Sequence, residues 1–318
     1  MIKVLVIQSP QINGVTWWRC FRPLSLLRKQ YRGEIDFAFK HKDLSPVDLD
    51  FHDIILILRA TTPDIIDYLG LAKRKGIPFI ADLDDDLLHL PPSHPQYHEY
   101  ARNRSIIEQF FRLADRVWVS TEQLLYVTDA IERGTVIPNA ILPTDLPDSP
   151  APDRNRWAWR GSSVHLEDVM AHAEWYNRIK PQPQEFAWIG WVPPLDHLPN
   201  ARFLPYESDV ETYFTSLRRQ QYNVIWKPLV DNPFNRAKSN IAWLEATMGG
   251  GVCVTNFAPD EPIPKPAGWE FCIREMYSLD WEKEKAVETW RKSRATILEN
   301  YNLHTVNELR FNDIKSLV

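Results

Sequence analysis

Between Asp231 and Phe257 the chain reads DNPFNRAKSNIAWLEATMGGGVCVTNF, and this stretch holds the residues best suited to chemistry. The strand before it, YNVIWKPL (Tyr222 to Leu229), ends in a turn carrying Asp231, Asn232 and Pro233. The spacing predicts a helix with Lys238 and Ser239 in its early turns and Glu245 about two turns on. Gly249, Gly250 and Gly251, three of only 11 glycines, would stop it before a buried strand VCVTNF. A polar helix start after a parallel strand presents unpaired N–H groups and the positive end of a dipole, which suits phosphate. A lysine and a hydroxyl beside it complete a diphosphate grip, and a carboxylate deeper in the site suits ribose hydroxyls. An ordinary strand–helix–strand unit with a polar helix start has the same pattern.

Ligands of open α/β sheets bind beyond the carboxyl ends of the strands, so the other candidates are strand-end loops. In the second half these are Arg160-Gly161-Ser162, Gly190-Trp191 and Tyr206-Glu207. Arg160 and Lys238 together would neutralise a diphosphate, the charge that grows as a sugar–phosphate bond breaks. Gly190 and Trp191 would flank a base, unless Trp191 is simply core. In the first half, ADLDDD (Ala81 to Asp86) places four acids at a strand end. Mutual repulsion asks for a reason for them. Three stay open: a divalent cation, an acceptor hydroxyl whose proton goes to Asp82 or Asp84, or a solvated, helix-capping loop. His89, His94 and His98 follow as loop histidines. From Met1 to Gly33 there are six basic residues (Lys3, Arg19, Arg22, Arg28, Lys29, Arg32) and no acid, with Trp17 and Trp18 beside Arg19 and Arg22. Cations next to aromatics suit a phosphate backbone with a stacked base; a solvated basic helix face with two cleft-filling tryptophans fits equally.

The elements that must position these groups alternate in type. IKVLVIQ and DIILILR are continuous apolar runs, as in central parallel strands. Helices are expected over Arg19 to Gln30, Pro63 to Lys75, SIIEQFFRLA and TEQLLYVTDAI, the last capped by Thr121. GIPFIADL, DRVWVS and TVIPNAI supply further strands. Leu142 to Arg156 reads as a proline-rich linker. Then WAWRGS, FAWIGW and ARFLPY read as strands, HLEDVMAHAEWYNRI and DVETYFTSLRR as helices, and Trp281 to Val318 as two final helices. The pattern predicts an α/β chain with two doubly wound domains. The 318 residues, 44% hydrophobic and 25% charged, are long enough for both. The net charge of -5 argues against a uniformly basic nucleic-acid binder. No apolar run reaches a membrane span, the amino terminus does not resemble a secretory signal, and Cys20, Cys253 and Cys272 read as reduced, buried thiols of a cytoplasmic protein.

The segment Phe234, Asn235, Ala237, Lys238, Ser239, Leu244, Glu245 and Gly250 resembles the donor-binding unit of retaining nucleotide-sugar glycosyltransferases with two facing Rossmann-like domains, the GT-B architecture, in its phage and bacterial form. The widespread form carries two Glu eight residues apart; here the first has no counterpart. ADRVWVSTEQLL with VIPNAI, WRGSSVHLEDV, and FAWIGWVPP resemble successive parts of the same family, and GVTWWRCFRP resembles an acceptor-side loop of its phage-type members. The resemblance implies an acceptor domain over 1–150, a donor domain over 151–300, and C-terminal helices crossing back, with 301–318 on the first domain. It implies a cytoplasmic, phage-encoded glycosyltransferase using a nucleotide diphosphate sugar, UDP-linked foremost, and no metal or other cofactor. The implied donor contacts are Gly161, Ser162, Gly190, Trp191, Asn235, Lys238, Ser239 and Glu245. The catalytic candidates are Asp82, Asp84, Arg160 and Lys238, and the acceptor contacts Trp17, Trp18, Arg19 and Arg22. The leading acceptor is double-stranded DNA carrying hydroxymethylated pyrimidines; a saccharide or protein acceptor, or a non-catalytic binding or structural module, stays open.

Overall fold

Residues whose side chains alternate between two apolar environments build both halves of the chain. In β1 (Ile2–Ile7), Val4 and Val6 join Leu24, Leu27 and Phe311 on one face, while Leu5 and Ile7 join Leu69 and Phe110 on the other. The strand is covered on both faces, which is why its sequence is apolar without a break. The computed structural model describes residues 1–8, 13–41, 44–59, 62–152, 154–179, 183–196, 201–255 and 283–318. The first sheet has the order β2-β1-β3-β4-β5-β6, with β2 (Ile35–Lys40), β3 (Ile54–Leu58), β4 (Phe79–Leu83), β5 (Arg116–Val119) and β6 (Gly134–Val136). The second has the order β11-β10-β7-β8-β9, with β7 (Arg156–Arg160), β8 (Glu185–Gly190), β9 (Arg202–Pro205), β10 (Val224–Trp226) and β11 (Val252–Val254). Every strand pairing in both sheets is parallel. The second sheet sorts its side chains by size: Trp157, Trp159, Trp188 and Trp226 fill one face, and Ala158, Ala187 and Ile225 lie on the other.

Several sequence expectations are corrected. β2 was not expected. It lies at the sheet edge, where Ile35 and Phe37 are buried and Asp36, Ala38 and Phe39 are exposed, so it lacks a continuous apolar run. The expected donor helix is broken: Pro233–Arg236 forms one short turn, and Ile241–Met248 forms the helix proper. Lys238 and Ser239 therefore lie in the connection before the second helix, not in its early turns. HLEDVMAHAEWYNRI divides at His172 into Leu166–Ala171 and Ala173–Ile179. Thr121 stands at the N-cap position of Glu122–Val127 without capping it; its Oγ1 donates to the Ala237 carbonyl at 2.9 Å. The expected linker contains buried Asp145, Leu146 and Ala151.

Gly250 has φ +83, and a Cβ there would sit 2.7 Å from the Ala151 nitrogen. The glycine run thus ends the helix and lets it close against the connecting segment. Of the final helices, Lys283–Asn300 stays with the second sheet, where Trp290 Nε1 donates to the Thr247 carbonyl. Leu303–Lys315 crosses to the first: Asn307 Nδ2 donates to the Pro23 carbonyl, Phe311 stacks on Tyr31, and Trp118 Nε1 donates to Asp313. Cys20 and Cys253 are free and buried. Cys272, the expected end of strand VCVTNF at residues 256–257, and the expected helix start at Trp281 lie outside the described residues.

Candidate active site between the two sheets

The carboxyl ends of both sheets face one cleft, a cavity of about 280 Å³. From the first sheet it receives Asp84 and Asp85 after β4, and Gly14, Val15 and Trp18 after β1. From the second it receives Arg160, Gly161 and Ser162 after β7, Gly190 after β8, Tyr206 and Glu207 after β9, and Lys227 after β10. β7 and β10 are neighbours, and the chain winds outward from them in both directions. This is the switch point, where the loops separate and leave a crevice for a ligand. Gly190 has φ +93, and a Cβ there would lie 2.5 Å from the Gly161 carbonyl, so only glycine lets the two loops close up.

Glu245 projects from Ile241–Met248 to the cleft and is 3% exposed. Arg160 Nε lies 2.5 Å from its Oε2, and the Tyr213 hydroxyl donates to the same oxygen at 3.1 Å. Burial pushes the Glu245 carboxyl up, against the pull of Arg160 and Tyr213. Burial alone would lower Arg160, but Glu245 beside it raises it. Lys238 Nζ lies 3.7 Å from Asp85 on the opposite sheet and 4.0 Å above the Phe234 ring. Phe234 and Ala237 are buried in the apolar layer of the first sheet, and Asn139 Nδ2 donates to Ser239 Oγ at 3.0 Å. The loop carrying Lys238 is thus held by both halves of the chain.

Two expected donor contacts are elsewhere. Asn235 is 2% exposed and outside the cleft lining; its Nδ2 donates to Asp168 at 2.8 Å and to the Val230 carbonyl at 3.0 Å. Trp191 is also outside the lining, packed edge-on to Trp159 at 6.1 Å. Gly161, Ser162, Gly190, Lys238, Ser239 and Glu245 do line the cleft.

The acidic run divides sharply. Asp82 is fully buried and receives Arg19 Nε at 2.8 Å and Nη2 at 2.9 Å. Asp86 is buried and accepts from the Leu88 and His89 nitrogens. Only Asp84 and Asp85 reach the cleft, and Arg59 holds both, at 2.6 and 2.9 Å. Arg59 itself has φ +53, strain that is characteristic of functional sites. Burial raises Asp84, with Arg59 opposing; burial would raise Asp85 too, but Lys238 and Arg59 hold it low. Asp82 therefore lies out of reach of the cleft in this arrangement, whereas Asp84 and Asp85 line it. Among the described residues no group of three or more His, Cys, Asp or Glu could hold a metal ion.

The expected basic and aromatic acceptor wall is also corrected. Arg19 has no exposure. Arg22 pairs with Asp145 at 2.7 Å and lies 4.7 Å over Trp17. Trp17 and Trp18 are 2% and 5% exposed, packed on Phe214 of the second half, and Trp17 Nε1 donates to Glu211. The pair joins the two halves, and Trp18 forms part of the cleft wall.

Sequence reasoning missed Lys227, His165, Tyr213, Asp85 and Arg59. Lys227 and Arg59 each end a strongly apolar run, which is a usable signal; His165 and Asp168 are spaced to meet on one helical turn. Nothing local marks Tyr213 or singles out Asp85 within its run.

No protein-family model matches this chain, and no curated protein is significantly similar to it. Solved structures match across its length. HepE from Anabaena, in complex with UDP, has a TM-score of 0.65 at 13% identity, with 99% of this chain and 100% of that chain covered. The catalytic domain of starch synthase IV from Arabidopsis thaliana, bound to ADP and acarbose, has 0.62 at 9% identity, covering 100% and 99%. S. aureus TarM, in complex with fondaparinux, α-GlcNAc-glycerol and UDP, has 0.56 at 12% identity, covering 82% of this chain and 55% of that one. The fold is the two-sheet α/β architecture of the GT-B glycosyltransferases. Among the described residues no helix is long and apolar enough to cross a membrane.

Proposed function

We propose that the protein transfers a sugar from a nucleotide diphosphate sugar to a hydroxyl acceptor bound in this cleft. One observation carries the reading. The basic side chains of Arg160, Lys227 and Lys238 converge at the switch point of the second sheet, beside the buried carboxylate of Glu245 and opposite Asp84 and Asp85 of the first. Such a cluster fits a diphosphate and stabilises it as it departs. Glu245, held by Tyr213 and Arg160, serves the ribose. The second domain, 151–300, binds the donor; the first, 1–150 with helix 301–318, binds the acceptor. UDP is the leading nucleotide, because two of the three similar structures above carry it.

A saccharide is the favoured acceptor. The residues expected to meet DNA are buried or ion-paired, and two of the similar structures carry saccharide ligands. Hydroxymethylated DNA and a phage origin rest on sequence resemblance alone; a cytoplasmic location rests on the reading of the cysteines as reduced thiols. Titration of UDP, ADP and GDP, followed by assay of nucleotide-sugar hydrolysis and transfer, tests the reading. Lys238→Ala is expected to lower turnover per donor bound at least tenfold, since a lost charged contact costs about 1.5–3 kcal/mol. Activity within twofold of the parent removes Lys238 from the donor site. A protein that binds none of the three nucleotides is a structural or binding module instead.

A further inference from the structure

Of the three basic side chains of the cleft, Lys227 is held differently. Arg160 has Glu245 and Lys238 has Asp85. Among the described residues Lys227 forms no ion pair; its Nζ lies 2.9 Å from His165 Nε2. Asp168 sets the state of that ring. Its Oδ2 lies 2.9 Å from His165 Nδ1, while its Oδ1 accepts from the Val230 nitrogen at 3.0 Å and from Asn235 Nδ2 at 2.8 Å. With Nδ1 donating to the carboxylate, Nε2 keeps its lone pair and accepts from Lys227. The Asn235 side chain thus does matter to the cleft, through Asp168.

We propose that Lys227, held in place by the Asp168–His165 pair, is a proton-linked phosphate contact of the donor site and itself takes up a proton from solvent when a nucleoside diphosphate binds. The inference rests on the donor-site reading above. Among the described residues the charged and titratable groups around Lys227 are Arg160 from β7, His165 and Asp168 from the segment after it, Lys238 from the connecting loop and Glu245 from Ile241–Met248. Burial, then Arg160 and Lys238, push Lys227 down to about 7, while Asp168 and Glu245 oppose them. Burial and Lys227 push His165 down to about 3, so the ring stays a neutral acceptor through the physiological range. Among these protein groups alone Lys227 is therefore close to balanced between its two forms at neutral pH. A diphosphate supplies the missing counter-charge and favours the ammonium. Loss of the nucleotide releases the proton again.

The test is calorimetric titration with UDP at about pH 8 in two buffers of different ionisation enthalpy, a pH at which the phosphate's own proton, with pKa about 6, is already gone. Uptake approaching one proton per UDP is expected, with affinity falling about tenfold between about pH 7.5 and 8.5. Lys227→Arg keeps the charge but does not titrate; it should bind UDP with uptake near zero. His165→Leu removes the acceptor that favours the ammonium and should lower the pH midpoint of UDP affinity. UDP binding without uptake, or native uptake in Lys227→Arg, overturns the inference and leaves the donor reading standing. An unmoved midpoint in His165→Leu removes the histidine from the arrangement. Failure of UDP, ADP and GDP to bind overturns both readings.

Discussion

Asp82→Ala is expected to cost stability rather than chemistry. Asp82 accepts two hydrogen bonds from Arg19, whose Nη1 also donates to the Ile137 carbonyl at 2.6 Å, and all of these groups are buried. Arg310, fully buried, lies within the same electrostatic cluster: burial and Arg19 push it down to about 9, with Asp82 opposing. Asp82 is thus the carboxylate that balances two buried guanidinium groups. Removing one member of a buried pair costs about 3–5 kcal/mol, because the partner stays behind without compensation. At roughly 2–4 °C per kcal/mol for a unit of this size, the melting temperature should fall by about 10 °C. Arg19→Met combined with Asp82→Ala should recover part of the loss, since the two changes share one interaction. Scanning calorimetry measures the stability, and donor hydrolysis below the new transition measures the chemistry. Asp85→Ala, at the cleft, should show the opposite balance: a small change in melting and a large fall in turnover. An Asp82→Ala protein that melts within about 1 °C of the parent yet is inactive would refute the structural role and restore Asp82 to the chemistry.

Glu245→Gln should weaken UDP while sparing inorganic pyrophosphate, which has no ribose; equal weakening of both, read by competition binding, would take Glu245 off the ribose. Trp17→Ala removes a side chain packed on Trp18 and Phe214 across the two halves and should cost about 3–5 kcal/mol in denaturant unfolding. A loss below about 1 kcal/mol would mean the halves are held together elsewhere. His165 has its folded value pushed down to about 3 from 6.5. The unfolded chain therefore binds the extra proton first as pH falls. Stability from this group is present above pH 6.5 and is lost toward pH 3, on the order of 1.4 kcal/mol per unit. Acid titration of melting temperature should show a shallower slope in His165→Gln, and an unchanged slope would place the acid sensitivity in other groups.

The alternation of apolar runs and amphipathic segments by itself determined a doubly wound α/β chain in two halves. Continuous runs such as IKVLVIQ and IILIL are demanded by strands buried on both faces, so they announce themselves. The edge strand Ile35–Lys40 is half exposed and therefore did not. Lys238, Ser239 and Glu245 were legible as one cluster because they lie within one strand–helix unit, close together in the chain, and all three line the cleft. The acidic run and the Trp-Arg segment were read as surface chemistry, and there only the tertiary structure could decide. Arg19 meets Asp82 across 63 residues, and Trp17 meets Glu211 across 194. Burial by a distant segment turned apparent ligands into structural pairs. The same distance effect brought Lys227, His165 and Asp168 together, from a strand end and a helix start 62 residues apart. Charge that looks exposed in a sequence becomes structural or functional according to what the fold places opposite it, and no local pattern encodes that partner.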